Sequence, residues 1–351
     1  MRRRIATIAC ITAALAAVVG LAAAAPQGGY LWRLPPGVAP PPVPADNPMS
    51  EAKVELGRRL FYDADLSIDG TMSCATCHEQ RRGFTDSNRS HPGVHGDPGR
   101  RNVMTLADVG YFTAFTWGDP SHRSLEDQAL VPITGAHPVE MGMAGKDAAI
   151  AERLGTDPCY RQAFAAAFPE ARGAITLTTV TRAIAAFERT LVSADAAYDR
   201  YRRGERDALS TEARQGEALF RSAAMGCANC HAGPRFTDAD RPDILASYHR
   251  LPGLPPSPAD HGLGEITGRR SDDGRFRTPS LRNVALSAPY LHDGSAPSLP
   301  AAIDAHFAPG MQPSATQMSA LVAFLGSLTD AGFVTDPHFS LPKPQSCPKA
   351  G

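Results

Sequence analysis

The sequence predicts an all-α fold assembled from two related units joined by long loops. Three observations carry that expectation. Apolar residues recur at helical spacing in several segments, and no unit sustains the alternation of a strand. The pentapeptide Cys-x-x-Cys-His occurs twice, at Cys74–His78 and at Cys227–His231. The residues around the two copies also follow one plan. Glu55-Leu-Gly-Arg-Arg-Leu-Phe61 precedes Cys74, and Arg214-Gln-Gly-Glu-Ala-Leu-Phe220 precedes Cys227. Phe84-Thr-Asp86 follows His78, and Phe236-Thr-Asp238 follows His231. Such self-similarity is an internal repeat of one structural unit.

The elements follow in order. Met1-Arg2-Arg3-Arg4, the alanine-rich apolar run Ile5 to Leu21 and the small residues Ala22 to Ala25 read as a secretory signal over residues 1–25. The competing reading is a membrane anchor, but the run is short of the roughly 20 apolar residues that a spanning helix needs. No other stretch is apolar enough to span, so no stable membrane span is expected after cleavage. Residues 26–48 are proline-rich and should run extended over a surface. Ser50 is the expected N-cap of a helix that puts Leu56, Leu60 and Phe61 on one face. The segment 175–203 contains the strongest helical pattern, through Val180, Ile184, Phe187 and Leu191, with Gly204 as a candidate stop. Ser210 should cap the helix that leads through Leu219 and Phe220 into the second motif. Met318, Leu321, Val322, Phe324 and Leu325 mark a last amphipathic helix. These elements divide the chain into units at 26–206 and 207–351. The 31 prolines and 31 glycines fit long loops between short helices.

Charge excludes one class of partner. With 35 basic and 36 acidic side chains there is no basic excess to attract nucleic acid. Of seven cysteines, Cys10 lies in the signal and four lie in the motifs. Cys159 and Cys347 remain; an oxidising compartment would let them pair, and otherwise they are two separate thiols.

Cys-x-x-Cys-His is the attachment signature of haem c. The two thiols add across the haem vinyl groups, and the adjacent histidine ligates the iron. A single copy also reads as half of a zinc site. Two well-separated copies on an exported chain favour covalent haem at both. Cys74 and Cys77 would then hold one haem with His78 as proximal ligand, and Cys227 and Cys230 the other with His231. The residues alone leave the distal ligands open among His91, His95, His122, His137, His249, His261, His292, His306 and several methionines.

Longer stretches narrow this. Besides Glu55 to Asp63 and Ser73-Cys-Ala-Thr-Cys-His78, they are Arg101-Asn102, Ser124-Leu-Glu-Asp-Gln-Ala-Leu-Val-Pro132, His137-Pro-Val-Glu-Met-Gly142 and the run from Arg277 to Gly294. Through them nearly all of the mature chain resembles the bacterial di-haem cytochrome c peroxidase superfamily, in its MauG and MbnH branch. The Leu34-Pro-Pro-Gly37 start and the run continuing His137-Pro-Val-Glu-Met-Gly-Met-Ala-Gly145 lean towards MbnH-like members. The resemblance implies a di-haem cytochrome c peroxidase-like fold of two cytochrome c-like haem domains, the first reacting with peroxide and the second transferring electrons. It implies that Glu140 is the distal-pocket carboxylate, where peroxide cleavage needs a group that takes a proton and returns it. Gln128 becomes the second polar residue of that pocket. Trp117 becomes the aromatic relay between the haems, although the turn after it, Gly118-Asp-Pro-Ser-His122, differs from the family's. A calcium ion is implied too, held by the side-chain oxygen of Asn102, the backbone carbonyls of Ser287 and Pro289, and water.

The family's second-haem distal ligand lies fourteen residues after the position of His292, and is methionine in ordinary peroxidases and tyrosine in MauG. Here that position is His306, with Met311 the nearby fallback. Histidine would give a low-spin haem suited to electron storage. For the first haem the resemblance leaves an open or water-bound face, or closure by His95 or His91 in a loop. The expected function is a periplasmic oxidoreductase that uses hydrogen peroxide to oxidise a residue on an MbnP-like partner protein, a tryptophan converted to kynurenine. The alternatives are a peroxidase drawing electrons from a small cytochrome or cupredoxin, and a non-catalytic electron carrier.

Overall fold

The computed structural model describes residues 30–255 and 257–343. The apolar N-terminal segment, Cys10 and Cys347 lie outside them. The described part is mostly helical: short helices are strung on long loops, and the one small sheet pairs Tyr248–His249 antiparallel with Phe276–Arg277. No helix among the described residues is long and apolar enough to cross a membrane. Cys159 is disulfide-bonded; Cys347, its expected partner, is outside the described residues.

Two helix pairs organise the chain. Glu51–Phe61 packs on Leu177–Glu188, and Thr211–Arg221 packs on Ala315–Gly326. Ser50 and Ser210 cap the first helix of each pair, accepting from the backbone of Lys53 and Ala213, which satisfies N–H groups that the helix start leaves orphaned. Glycine sets the closeness of each pair. A Cβ on Gly57 would sit 1.9 Å from the Ala183 carbonyl oxygen, and one on Gly216 would sit 1.9 Å from that of Ala320. These glycines hold the same place in the two repeats, four residues before Phe61 and Phe220.

The aromatics repeat as well. Phe61 meets Phe84 and Phe187 with ring centroids at 6.0 and 5.3 Å, while Phe220 meets Phe236 and Phe324 at 6.0 and 5.1 Å. All six rings are buried, and each trio anchors one of two separate cores. Ala239, Ile244, Tyr248, Leu263 and Phe333, all beyond residue 206, join the first core.

The pattern over 175–203 resolves into two helices, Leu177–Glu188 and Ala197–Arg202, with Gly204 following the second at φ +107°. The break has distant causes. The Asp108 carboxylate accepts from the Ser193 N–H at 2.9 Å, and Asp330 accepts from that of Asp195 at 2.9 Å. Those amide groups are thereby satisfied outside a helix.

Candidate active site

Each motif is built by local backbone rules. At the start of the one-turn helix Cys74–Cys77 the Ser73 N–H donates to the Thr76 hydroxyl at 2.9 Å, and the αL residue Gly226 opens the turn Cys227–Asn229. In both, the histidine amide returns to the first cysteine carbonyl: His78 to Cys74 at 2.9 Å, His231 to Cys227 at 3.0 Å. Both rings are then fixed in the same way. His78 Nδ1 lies 2.8 Å from the carbonyl oxygen of Phe84, and His231 Nδ1 lies 3.0 Å from that of Phe236. A carbonyl only accepts, so each Nδ1 carries the proton and each Nε2 keeps its lone pair for a metal. Phe84 and Phe236 present these carbonyls from left-handed backbone, at φ +64° and +51°. The repeated Phe-Thr-Asp therefore supplies, through its phenylalanine carbonyl, the acceptor that fixes each histidine ring, a role the repeat marked without revealing.

His306 follows the helix Leu299–Asp304 and is fixed by the same device, with Nδ1 2.8 Å from the Ala302 carbonyl oxygen. Its ring faces that of His231, centroids 6.2 Å apart. Burial holds both rings neutral. It pushes His231 down to about 4, with His306 adding to the shift, and it lowers His306 too. Met311 is 70% exposed. Cys227, Cys230, His231 and His306 line one cavity of about 420 Å³. Its protein walls supply two cysteine sulfurs and two neutral imidazoles, a set that fits a covalently attached haem.

Trp117, Asn102, Ser287 and Pro289 line the same cavity. The indole Nε1 donates to the Asn102 carbonyl at 2.7 Å, and the Asn102 amide donates to that of His292 at 2.7 Å. The Asn102 side-chain nitrogen donates to the Asn88 and Arg89 carbonyls at 3.0 and 3.4 Å.

The first motif gathers different chemistry. The His78 ring is lowered by burial, as a metal ligand requires. Burial raises both thiols, and the Glu140 carboxylate lies in electrostatic reach of each, adding to the shift at Cys77 and to a smaller degree at Cys74. Burial pushes its carboxyl above the usual range, with His91 opposing. Loop 91–99 is pressed onto the glutamate's own loop: Val94 N–H donates to the Glu140 carbonyl at 2.7 Å, and a Cβ on Gly93 would sit 1.8 Å from the Val139 oxygen. His91 also acts on His78, whereas exposed His95 faces Asp69 on the outside. Gln128 ends the four-residue helix Leu125–Gln128, capped by Ser124, and is half-buried.

The comparisons fit this duplicated arrangement. Residues 51–207 match the family model for di-haem cytochrome c peroxidase. The methylamine utilization protein MauG of Methylorubrum extorquens is 38% identical over 77% of this chain and 72% of its own length. The chain belongs to the di-haem cytochrome c peroxidase and MauG family. Membership implies two c-type haems and an oxidoreductase. The cytochrome c551 peroxidase of Nitrosomonas europaea, a family member at 32% identity, aligns over 86% of each chain. A solved MauG-like protein associated with microbial copper homeostasis is 38% identical, with a TM-score of 0.82 over 90% of this chain and 99% of that one. The family thus covers both MauG-type proteins and peroxidases.

Proposed function

We propose that this chain is a periplasmic MauG/MbnH-like enzyme that uses hydrogen peroxide to oxidise a residue, a tryptophan, on a partner protein. The observation that carries the reading is the pairing of His231 with His306 in the cavity that both line. A haem held by both imidazoles would be closed to peroxide and would have a lower potential than one with a methionine ligand. That suits storage of oxidising equivalents better than intake of electrons from a high-potential donor.

In this reading Cys74, Cys77 and His78 hold the first haem, in the unit 26–206. Cys227, Cys230, His231 and His306 hold the second, in the unit 207–351. The bound haems supply peroxide cleavage at the first motif and storage of oxidising equivalents at the second. Glu140 takes a proton from the near oxygen of peroxide and returns it to the leaving oxygen; the upward shift of its carboxyl favours holding the proton between the two transfers. Gln128 orients peroxide by hydrogen bonding. Trp117, held by its bond to Asn102, relays charge between the two haems. Asn102, Ser287 and Pro289 would supply hard oxygen ligands to a calcium ion. The solved relative associated with copper homeostasis supports a partner from copper handling.

The second reading is peroxide removal with electrons from a small cytochrome or cupredoxin, favoured by the curated cytochrome c peroxidases at similar identity. One experiment separates them. The diferric protein is mixed with stoichiometric peroxide and its spectrum followed; the co-encoded partner is then analysed by mass spectrometry. Oxygen insertion into a partner tryptophan is the expected result. An unmodified partner together with rapid oxidation of a reduced small cytochrome would establish peroxide removal. A diferric spectrum indifferent to peroxide would defeat both.

A further inference from the structure

Arg277 is a buried cation without an anion. It is 2% exposed, and burial pulls its guanidinium down to about 10. Two other buried guanidinium groups answer their charge with carboxylates: Arg189 pairs with Glu126 at 2.8 Å, and Arg282 pairs with Asp199. Arg277 makes no ion pair among the described residues. Its Nη1 donates to the Ala114 carbonyl at 2.7 Å, its Nη2 meets the Met104 sulfur at 3.3 Å, and its Nε is buried with no partner. Asp238 supports it electrostatically but is engaged by His249 at 2.7 Å.

A buried charge with only neutral partners costs several kcal/mol. A fold that keeps one needs an anion from outside the polypeptide. Arg277 lines the cavity of Cys227, Cys230 and His231, and a haem held there would bring two carboxylates, its propionates. The guanidinium fork matches a carboxylate. We propose that Arg277 binds a propionate of the haem attached at Cys227 and Cys230. The inference rests on haem attachment there. The residue would also fix the haem relative to Trp117, because its backbone N–H donates to the Trp117 carbonyl at 2.9 Å.

The test uses the holoprotein and the variants Arg277→Gln and Arg277→Lys. Haem content, the midpoint potential of the low-spin haem and the propionate bending bands in resonance Raman spectra are measured. Removing the cation leaves the propionate's negative charge to stabilise oxidised iron. The Gln variant should therefore keep two covalent haems, move the propionate band and lower the midpoint potential. The Lys variant, charged but without the fork, should move the band and change the potential less. A wild-type band and potential in the Gln variant overturn the proposal. If that variant does not fold, an unmoved band in the Lys variant overturns it equally. Wild-type protein without covalent haem at Cys227 and Cys230 would instead defeat the attachment reading itself.

Discussion

The rings of His231 and His306 face each other with centroids 6.2 Å apart and planes inclined by 54°. A metal–imidazole bond is about 2 Å. With about 1 Å from each nitrogen to its ring centre, trans imidazoles on one metal have centroids about 6 Å apart. Both Nδ1 protons are committed to backbone carbonyls, so both Nε2 lone pairs are free. His306→Ala should turn the second haem from low-spin to high-spin in absorption and EPR spectra. His306→Met should keep it low-spin and raise its potential. A low-spin spectrum that persists in the Ala variant would rule out His306 as ligand.

In the proposed reaction Glu140 moves protons, and its environment would set the pH at which it can. Burial raises its carboxyl, so the ionised form that accepts a proton gains population above the ordinary carboxylate range. The rate of the peroxide reaction should therefore rise with pH through that raised pKa. Glu140→Gln should lose roughly 10²–10⁴-fold in this rate and lose the pH dependence with it. A variant that reacts at the wild-type rate would remove Glu140 from the mechanism. Stopped-flow spectra across pH supply both readouts.

Legibility followed the range of the interactions. The Cys-x-x-Cys-His motifs and the caps Ser50 and Ser210 act within a few residues of chain, and sequence shows them. The break between Glu188 and Ala197 depends on Asp108 and Asp330, which no local pattern announces. The Phe84 and Phe236 carbonyls are backbone groups, so only the repeat hinted at them. Arg277 opens the run to Gly294 in the sequence, yet its lack of an ion pair among the described residues is visible only in the folded chain.

The matched glycines give the fold its own test. At Gly57 and Gly216 the intruding Cβ would meet carbonyl oxygen of the facing helix, at 1.9 Å in both cases. Backbone cannot swing aside as a side chain can, so the helices must part. Gly57→Ala and Gly216→Ala should each destabilise by about 1–3 kcal/mol or more, the usual cost of overpacking. Chemical denaturation reads this directly. Wild-type stability in both variants would show that the two helix pairs are less closely packed than described.

Glu188 makes a prediction for stability against pH. It is 5% exposed, and its Oε2 is buried without a partner. The adjacent Arg189 directs Nη2 to Glu126 at 2.8 Å, so its charge is largely answered elsewhere. Burial pushes the Glu188 carboxyl up to about 8, with Arg189 opposing and Glu126 adding. The unfolded chain gives up that proton near the ordinary glutamate value of about 4.3. Between these pH values the folded state holds more protons than the unfolded state, so stability falls as pH rises. Above about 8 the folded protein bears the whole cost of a buried carboxylate. Glu188→Gln keeps the shape and removes the titration. Near pH 4 the variant and wild type should be equally stable. Above pH 8 the variant should be more stable by about 1–3 kcal/mol, the range for an unsatisfied buried polar group. The haems are common to both proteins and cancel in the difference. A difference that stays flat from pH 4 to 9 would mean that Glu188 has a counter-charge in the holoprotein.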